Sequence, residues 1–228
     1  MLHNPPLLTI HRGFRRPDPK LLEAFKGAQT SHLTDAMDGR GALDYRIKPL
    51  DASQSVFAGP AITAHSYPAD IVGMFGAVSE AQPGDVIVVA NDSYTETAVV
   101  GDLAVGMMRN KGVAAFVTDG LARDKAGILG TGVPVFSRGV SPNSPGCYGQ
   151  GTVGIPVTLG GVHVSPGDII VGDEDAVVVV PLARAEEIAE RLVEIRAAEA
   201  KTEKLVAEGM TMSPGMENII KNAVIVES

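Results

Sequence analysis

The sequence predicts a single mixed α/β domain, and three observations carry that expectation. The runs VIVVA at 86–90 and VAAFVT at 113–118 are apolar without alternation, as strands covered on both faces are, and a helix-patterned segment at 102–110 lies between them. From Gly151 onward the pattern changes to short strands separated by Gly-Asp and Pro-Gly turns. A long amphipathic segment at 183–208 then closes the domain as a helix, with Ile188, Leu192, Ile195 and Leu205 inward, Glu187 and Arg191 paired at i,i+4, and Gly209 at its end. At 228 residues the chain is long enough for one sizeable core.

The elements follow in order. Residues 1–17, with Pro5-Pro6, Arg15-Arg16 and Pro17 and no periodicity, read as an extended arm suited to lie on a neighbouring subunit. Asp18-Pro19 is a helix start, Asp as N-cap and Pro at the first helical position, with Leu21, Leu22 and Phe25 on the apolar face and Gly27 as the stop. A second helix starts at Thr30 or Ser31 and turns Leu33, Ala36 and Met37 inward. Short strands are expected at 46–50 and 58–65, and a helix at 74–80 before the turn Gln82-Pro83-Gly84-Asp85. Residues 92–100 read as a loop into the Gly101-Asp102 helix start. A further buried strand is expected at 133–136, and residues 141–146 (SPNSPG) are loop. The divisions are therefore the arm 1–17, one catalytic domain 18–209 and a tail 210–228.

Composition narrows the function classes. A formal net charge of -8, with no basic cluster beyond Arg12, Arg15 and Arg16, gives no electrostatic reason to bind nucleic acid or an anionic membrane. One cysteine, Cys147, has no internal partner, the first residues lack a signal-peptide core, and no apolar run nears the roughly 18 residues of a membrane helix, so a cytoplasmic protein is expected. Neither a Walker A sequence nor a Gly-x-Gly-x-x-Gly follows a strand, and the histidines are too scattered for a zinc site.

The residues with chemistry gather at two turns. A helix starting at Gly101-Asp102 points free N–H groups of Leu103 and Ala104 at whatever lies before it, which suits a carboxylate ligand. Arg123 offers a planar fork for a carboxylate or a developing enolate, and Asp124 offers hard oxygen for a cation such as Mg²⁺ or Mn²⁺. Taken alone, Asp102 also reads as an N-cap and Arg123-Asp124 as the cap of the next helix. Asp173, Glu174 and Asp175 read as a turn between strands, and His65 as a core histidine. Glu199 and Glu203, one turn apart on the last helix, read as a solvated face.

The order Gly-Asp, twenty residues, Arg-Asp, with Asp119-Gly120 just before the Arg strand, then PGDIIVGDEDAVVVV and a long Glu-rich helix, resembles the class II pyruvate aldolases that cleave 4-hydroxy-4-methyl-2-oxoglutarate and 4-carboxy-4-hydroxy-2-oxoadipate. The resemblance covers residues 21–209 and implies a three-layer β/β/α domain of the swivelling type, assembled as a homotrimer or homohexamer with the site between subunits. It implies that Asp124 ligates the metal directly, that Asp102 holds it through water, that Arg123 contacts the pyruvate oxygens, and that the N–H groups of Leu103 and Ala104, beside Gly101, take the pyruvate carboxylate. It further assigns a glutamate of a neighbouring subunit's last helix to the metal's water shell; that residue is Glu199, with Glu203 as the fallback. The implied reaction is metal-dependent cleavage of a 4-hydroxy-2-oxo acid to pyruvate and a second oxo acid, with oxaloacetate decarboxylation as a side activity. The same fold serves the regulators of ribonuclease E activity, non-catalytic proteins that lack the Arg-Asp pair, so a protein-binding regulator is the alternative. Two segments depart from the aldolases: Pro68-Ala69-Asp70-Ile71-Val72 stands where they have Pro-Gly-Asp-Asn-Trp, and the loop 92–100 differs.

Overall fold

The computed structural model describes residues 5–226; His3 and the first four residues of the arm lie outside them. Residues 5–17 of the arm lie along the body of their own chain. Its strand β1 (Leu8–Ile10) pairs in parallel with β9 (Gly151–Val153), Arg12 binds Glu80 bidentately at 2.7 and 2.8 Å, and Arg16 binds the buried Asp85. The edge of the main sheet supplies the free N–H and C=O groups to which β1 pairs.

Helix α1 (Pro19–Glu23) begins as its sequence dictates, with the Asp18 carboxylate accepting from Lys20 N at 2.7 Å. It stops four residues before Gly27, because the bonds from Ala24 onward tighten to i→i−3 pairs such as Phe25 N to Leu22 O. Helix α2 (Thr30–Ala36) is capped from far along the chain: Asp173 accepts from Thr30 N and Thr30 Oγ1, each at 2.8 Å. The Asp173–Asp175 stretch is thus a turn whose first carboxylate is used by the backbone, as its sequence suggested.

Strands β2 (Lys48–Pro49) and β3 (Phe57–Ser66) follow, then α3 (Val72–Glu80), β4 (Val86–Ala90), β5 (Ala98–Val100), α4 (Asp102–Asn110), β6 (Ala115–Thr118), β7 (Leu121–Ala122), α5 (Lys125–Thr131) and β8 (Val135–Ser137). The main sheet runs β1-β9-β3-β4-β6-β8-β2, with β3, β4, β6 and β8 mutually parallel. Strand β3 is long enough to serve two sheets: residues 57–60 pair antiparallel with β12 (Ile169–Gly172), and residues 61–65 pair with β4. Strand β12 makes a hairpin with β13 (Val177–Val180), and β10 (Val157–Leu159) makes a separate one with β11 (Val162–Val164). The Pro83-Gly84-Asp85 and Pro166-Gly167-Asp168 turns are built alike. Each glycine has φ near +90° (87° and 89°), and each aspartate accepts from the residue before the proline, Gln82 N or Ser165 N, at 2.8 Å.

The unalternating strands are covered on both faces. Ile87, Val89 and Phe116 face a core shared with Met74, Val105, Met108 and Ile128 of α3, α4 and α5. Val86, Val88, Ala115 and Val117 face the second sheet, against Val157, Leu159, Ile170 and Val179. Each such fully buried aliphatic side chain stabilises the fold by about 1.5–3 kcal/mol. The predicted β/β/α stack is present. Helices α1, α2 and α6 (Ala185–Ala207) add a layer outside it, packing Phe25, Leu33, Ile188 and Leu192 on Ile169, Val171, Val178 and Val180.

Some details depart from the sequence reading. Residues 98–100 of the supposed loop are strand β5, which needs no more than three apolar residues beside β7. Glu187 pairs with Arg184 at 2.8 Å, leaving Arg191 to bind Asp38 at 2.7 Å. Leu205 is exposed, because α6 runs past the body after Glu199. The tail carries a further helix, α7 (Pro214–Lys221), capped by Ser213 and exposing Met216, Ile219 and Ile220. Among the described residues no helix is long and apolar enough to cross a membrane.

Candidate active site

Two short parallel strands bring the two charged turns together. Val100 of β5 is in register with Ala122 of β7, and Arg123 N donates to Val100 O at 2.9 Å, so Gly101-Asp102 and Arg123-Asp124 leave the same edge side by side. The carboxyl ends of parallel strands are where open α/β sheets place ligands. Here that edge faces a cleft of about 270 Å³, lined at its polar end by Gly101, Asp102, Arg123 and Ser144 and elsewhere by side chains such as Phe75, Leu103 and Met107.

The backbone around the two carboxylates leaves room for no more than it has. A Cβ on Gly101 would lie 2.8 Å from Asp124 Oδ2 and 3.1 Å from Arg123 Nε; a Cβ on Gly127, in α5, would lie 2.5 Å from Asp102 Oδ2. Glycine at 101 and 127 is what lets both carboxylates sit where they do. Gly101 is the N-cap of α4 and makes no side-chain cap, while Asp102 occupies the first turn and accepts from Leu103 N at 2.7 Å. Asp124 stands at the N-cap of α5 with φ 54° and ψ 42°, the left-handed region, and its side chain caps nothing. The capped-turn reading therefore fails at Asp124. A non-glycine residue held there costs about 1–3 kcal/mol and is commonly retained for function. Its carboxylate meets Arg123 Nε at 3.1 Å and remains 45% exposed, and Arg123 also donates through Nη1 to Ser144 Oγ.

A buried polar scaffold holds these pieces. Asp119 accepts from Asn91 N (2.7 Å), Ser93 N (2.9 Å) and Ser93 Oγ (3.1 Å), and Asn91 Nδ2 donates to Tyr67 O at 2.6 Å, fixing the loop that delivers β5. Asn143 ties the 141–146 loop to that segment through Ala98 N to Asn143 O (3.1 Å) and Asn143 Nδ2 to Glu96 O (2.9 Å), which presents Ser144 and Pro145 to the cleft. Asp70 accepts from Val72 N, Tyr148 N and Gly149 N at 2.7–2.8 Å, and so sets the start of α3. Ala69 just before it has φ 61°, a conformation that a glycine adopts without strain.

Of the residues singled out from the sequence, Gly101, Asp102, Leu103, Ala104, Arg123 and Asp124 come together. Glu199 does not join them within one chain. It lies on α6 against His32 of α2, with α6 packed on α1 and α2. Glu203 is exposed on the same helix. His65, expected in the core, is partly exposed and contacts Asp92 at 3.2 Å. Ser144 and the apolar wall of α3 went unnoticed in the sequence; a serine in a proline-rich loop and apolar residues in a helix carry no signal of their own.

Asp102 and Asp124 are hard oxygen donors of the kind that Mg²⁺ or Mn²⁺ takes, and the glycines at 101 and 127 leave room for their carboxylates. Among the described residues no group of three or more His, Cys, Asp or Glu could hold a metal. Two carboxylates completed by water and substrate oxygens would suit Mg²⁺, which keeps several waters.

A family model described as RraA-like, Aldolase/RraA, matches residues 30–179. The chain is 34% identical over 186 residues to the "Putative 4-hydroxy-4-methyl-2-oxoglutarate aldolase" of Halalkalibacterium halodurans, covering 82% of this chain and 88% of that protein. Among solved structures it is similar to Streptomyces coelicolor RraAS2, described as an unusual member of the RNase ES inhibitor RraA protein family, with 29% identity, a TM-score of 0.75 and coverage of 83% and 99% of the two chains. It is also similar to the RNA-processing inhibitor RraA of Thermus thermophilis, with 26% identity, a TM-score of 0.62 and coverage of 68% and 93%.

Proposed function

The chain belongs to the RraA-like Aldolase/RraA family, and from that premise we propose that it is a metal-dependent lyase that cleaves 4-hydroxy-2-oxo acids to pyruvate and a second carbonyl compound. The 4-hydroxy-4-methyl-2-oxoglutarate named for its relative is the first substrate to try, and oxaloacetate decarboxylation is the side activity. One observation carries the reading: Asp124 is held in a strained conformation beside Arg123, caps nothing, and has a glycine at 101 to make room for its carboxylate.

In this reading Asp124 and Asp102 would hold Mg²⁺ or Mn²⁺, the first directly and the second through water, and the cation would supply Lewis acidity toward the 2-oxo group. The carboxylate of the substrate lies at the N-terminus of α4, on the N–H groups of Leu103 and Ala104. Asp102 Oδ1 accepts from Leu103 N, so a substrate carboxylate taking that N–H would release Asp102 Oδ1. The C4 hydroxyl loses its proton, the C3–C4 bond breaks, C4 becomes a carbonyl and the electron pair passes to C3 as a pyruvate enolate. Arg123 donates to that oxyanion, and the Ser144 hydroxyl orients Arg123. Protonation at C3 completes pyruvate. Loss of CO₂ from oxaloacetate leaves the same enolate, so one site serves both reactions. Proton handling falls to Asp102 together with Glu199, or Glu203, from a neighbouring copy in a homotrimer or homohexamer.

The test is pyruvate release from 4-hydroxy-4-methyl-2-oxoglutarate and oxaloacetate, with Mg²⁺ or Mn²⁺ and with EDTA. Turnover above the metal-only rate, abolished by EDTA, supports the reading; release from neither substrate defeats it. A monomer by light scattering would leave Glu199 without a role. The inhibitors among the solved relatives favour a second reading, a protein-binding regulator. Stoichiometric capture of a ribonuclease E-type nuclease together with no turnover would establish it.

A further inference from the structure

The second half of the cleft constrains what the substrate carries beyond its pyruvate part. Among the described residues Arg123 is the one cation in the lining, where it donates to Ser144 and shares the lining with Asp102. From there the wall is Ile71, Phe75, Val99, Leu103, Met107 and Pro145, with no Lys, Arg or His among them. Phe75, Leu103 and Met107 are exposed to solvent (39%, 76% and 48%), so a ligand covering them removes apolar surface from water.

We infer that, within the lyase reading on which this rests, the chain prefers 4-hydroxy-2-oxo acids whose C4 substituent is apolar, releasing an aliphatic or aromatic aldehyde with the pyruvate. A second carboxylate at C4 would lose water against Phe75 and Met107 without gaining a cation. It would also share the cleft with the Asp102 carboxylate, and a glutamate arriving from a neighbouring copy would add a like charge. An alkyl or aryl group in the same place gains contact and meets no charge. The cleft thus combines a few polar groups with a mainly apolar lining, as small-molecule sites commonly do. The bonds broken and formed are those already described; only the group on C4 differs.

The experiment compares three probes with the wild-type protein and Mg²⁺: oxaloacetate, 4-hydroxy-2-oxohexanoate, and 4-hydroxy-4-methyl-2-oxoglutarate. Oxaloacetate has no aldehyde half, so it reports the pyruvate half alone. The alkyl probe is expected to exceed the carboxylated one in kcat/KM by about tenfold or more, the usual reach of an apolar pocket. Met107→Lys, at an exposed position, is expected to narrow or reverse that ratio by placing a cation in the wall. Oxaloacetate turnover with equal or faster cleavage of the carboxylated probe overturns the inference and leaves the lyase reading standing. No turnover of any probe overturns both.

Discussion

Two sets of aspartates in this chain stand at turns and helix starts and do opposite things. Asp70, Asp85, Asp119 and Asp168 are buried, and their oxygens accept from backbone N–H groups or from Arg16. Asp102 lines the cleft and is bonded to one N–H, and Asp124, partly exposed, meets the cleft residue Arg123. A carboxylate whose oxygens are filled by the backbone holds loops in place; one left with open oxygens beside an arginine is available for a ligand. Residue type is the same in both sets, so it alone does not tell them apart.

The contrast can be broken most sharply at Arg123. Arg123→Ala is expected to lower pyruvate release by about 10²–10³-fold, the usual cost of an oxyanion donor, with an unfolding midpoint little changed because the side chain is on the surface of the cleft. The scaffold should behave in reverse. Asp119→Ala leaves Asn91 N and Ser93 N without acceptors and is expected to cost about 3 kcal/mol of stability in a urea titration. If Asp119→Ala folded as stably as wild type, the division between the two sets would not hold. Gly127→Ala sits between them: a Cβ 2.5 Å from Asp102 Oδ2 must displace that carboxylate, and an approximately tenfold loss of kcat is expected with little change in the denaturation curve.

Acid should act on a third group of carboxylates, those paired with arginine at the surface. Hydrogen bonds from Arg46 hold the Asp44 carboxyl far below its usual range; hydrogen bonding with Arg191 lowers Asp38, and hydrogen bonding with Arg12 lowers Glu80. Their folded pKa values are depressed, so their contribution to stability is fully present above the unfolded values of 3.8 to 4.5 and is lost as pH falls below them. Thermal midpoints should therefore be flat in this respect from about pH 6 to 8 and decline below about pH 4. The smallest effect is expected at the exposed Arg184–Glu187 pair, where Glu187→Gln should leave the thermal midpoint essentially unchanged.

Much of the fold was legible before any coordinates, because local rules agreed with tertiary ones. Asp18-Pro19 caps a helix, the two Pro-Gly-Asp turns close as their residues require, and VIVVA is buried on both faces. What escaped was decided at a distance. Strand β5 exists because β7 lies beside it, and the Glu187–Arg191 pair gave way because Asp38 approaches from α2. At the site, Gly101-Asp102 and Arg123-Asp124 were visible as charged turns, but their proximity depends on a parallel pairing across twenty residues. The apolar half of the cleft was invisible, since Phe75 and Met107 carry the same helix-forming pattern whether they line a cleft or a core.

The most direct measurement of the site is proton NMR of the pyruvate methyl group in D₂O with Mg²⁺, which follows enolate formation without any aldehyde half. Wild-type protein is expected to exchange the methyl protons for deuterium well above the metal-only rate, with exchange abolished by EDTA and lowered by about 10²–10³-fold in Arg123→Ala. Exchange no faster than Mg²⁺ alone, or exchange unaltered in Arg123→Ala, would contradict the assignment of Asp102, Arg123 and Asp124 as a pyruvate enolate site.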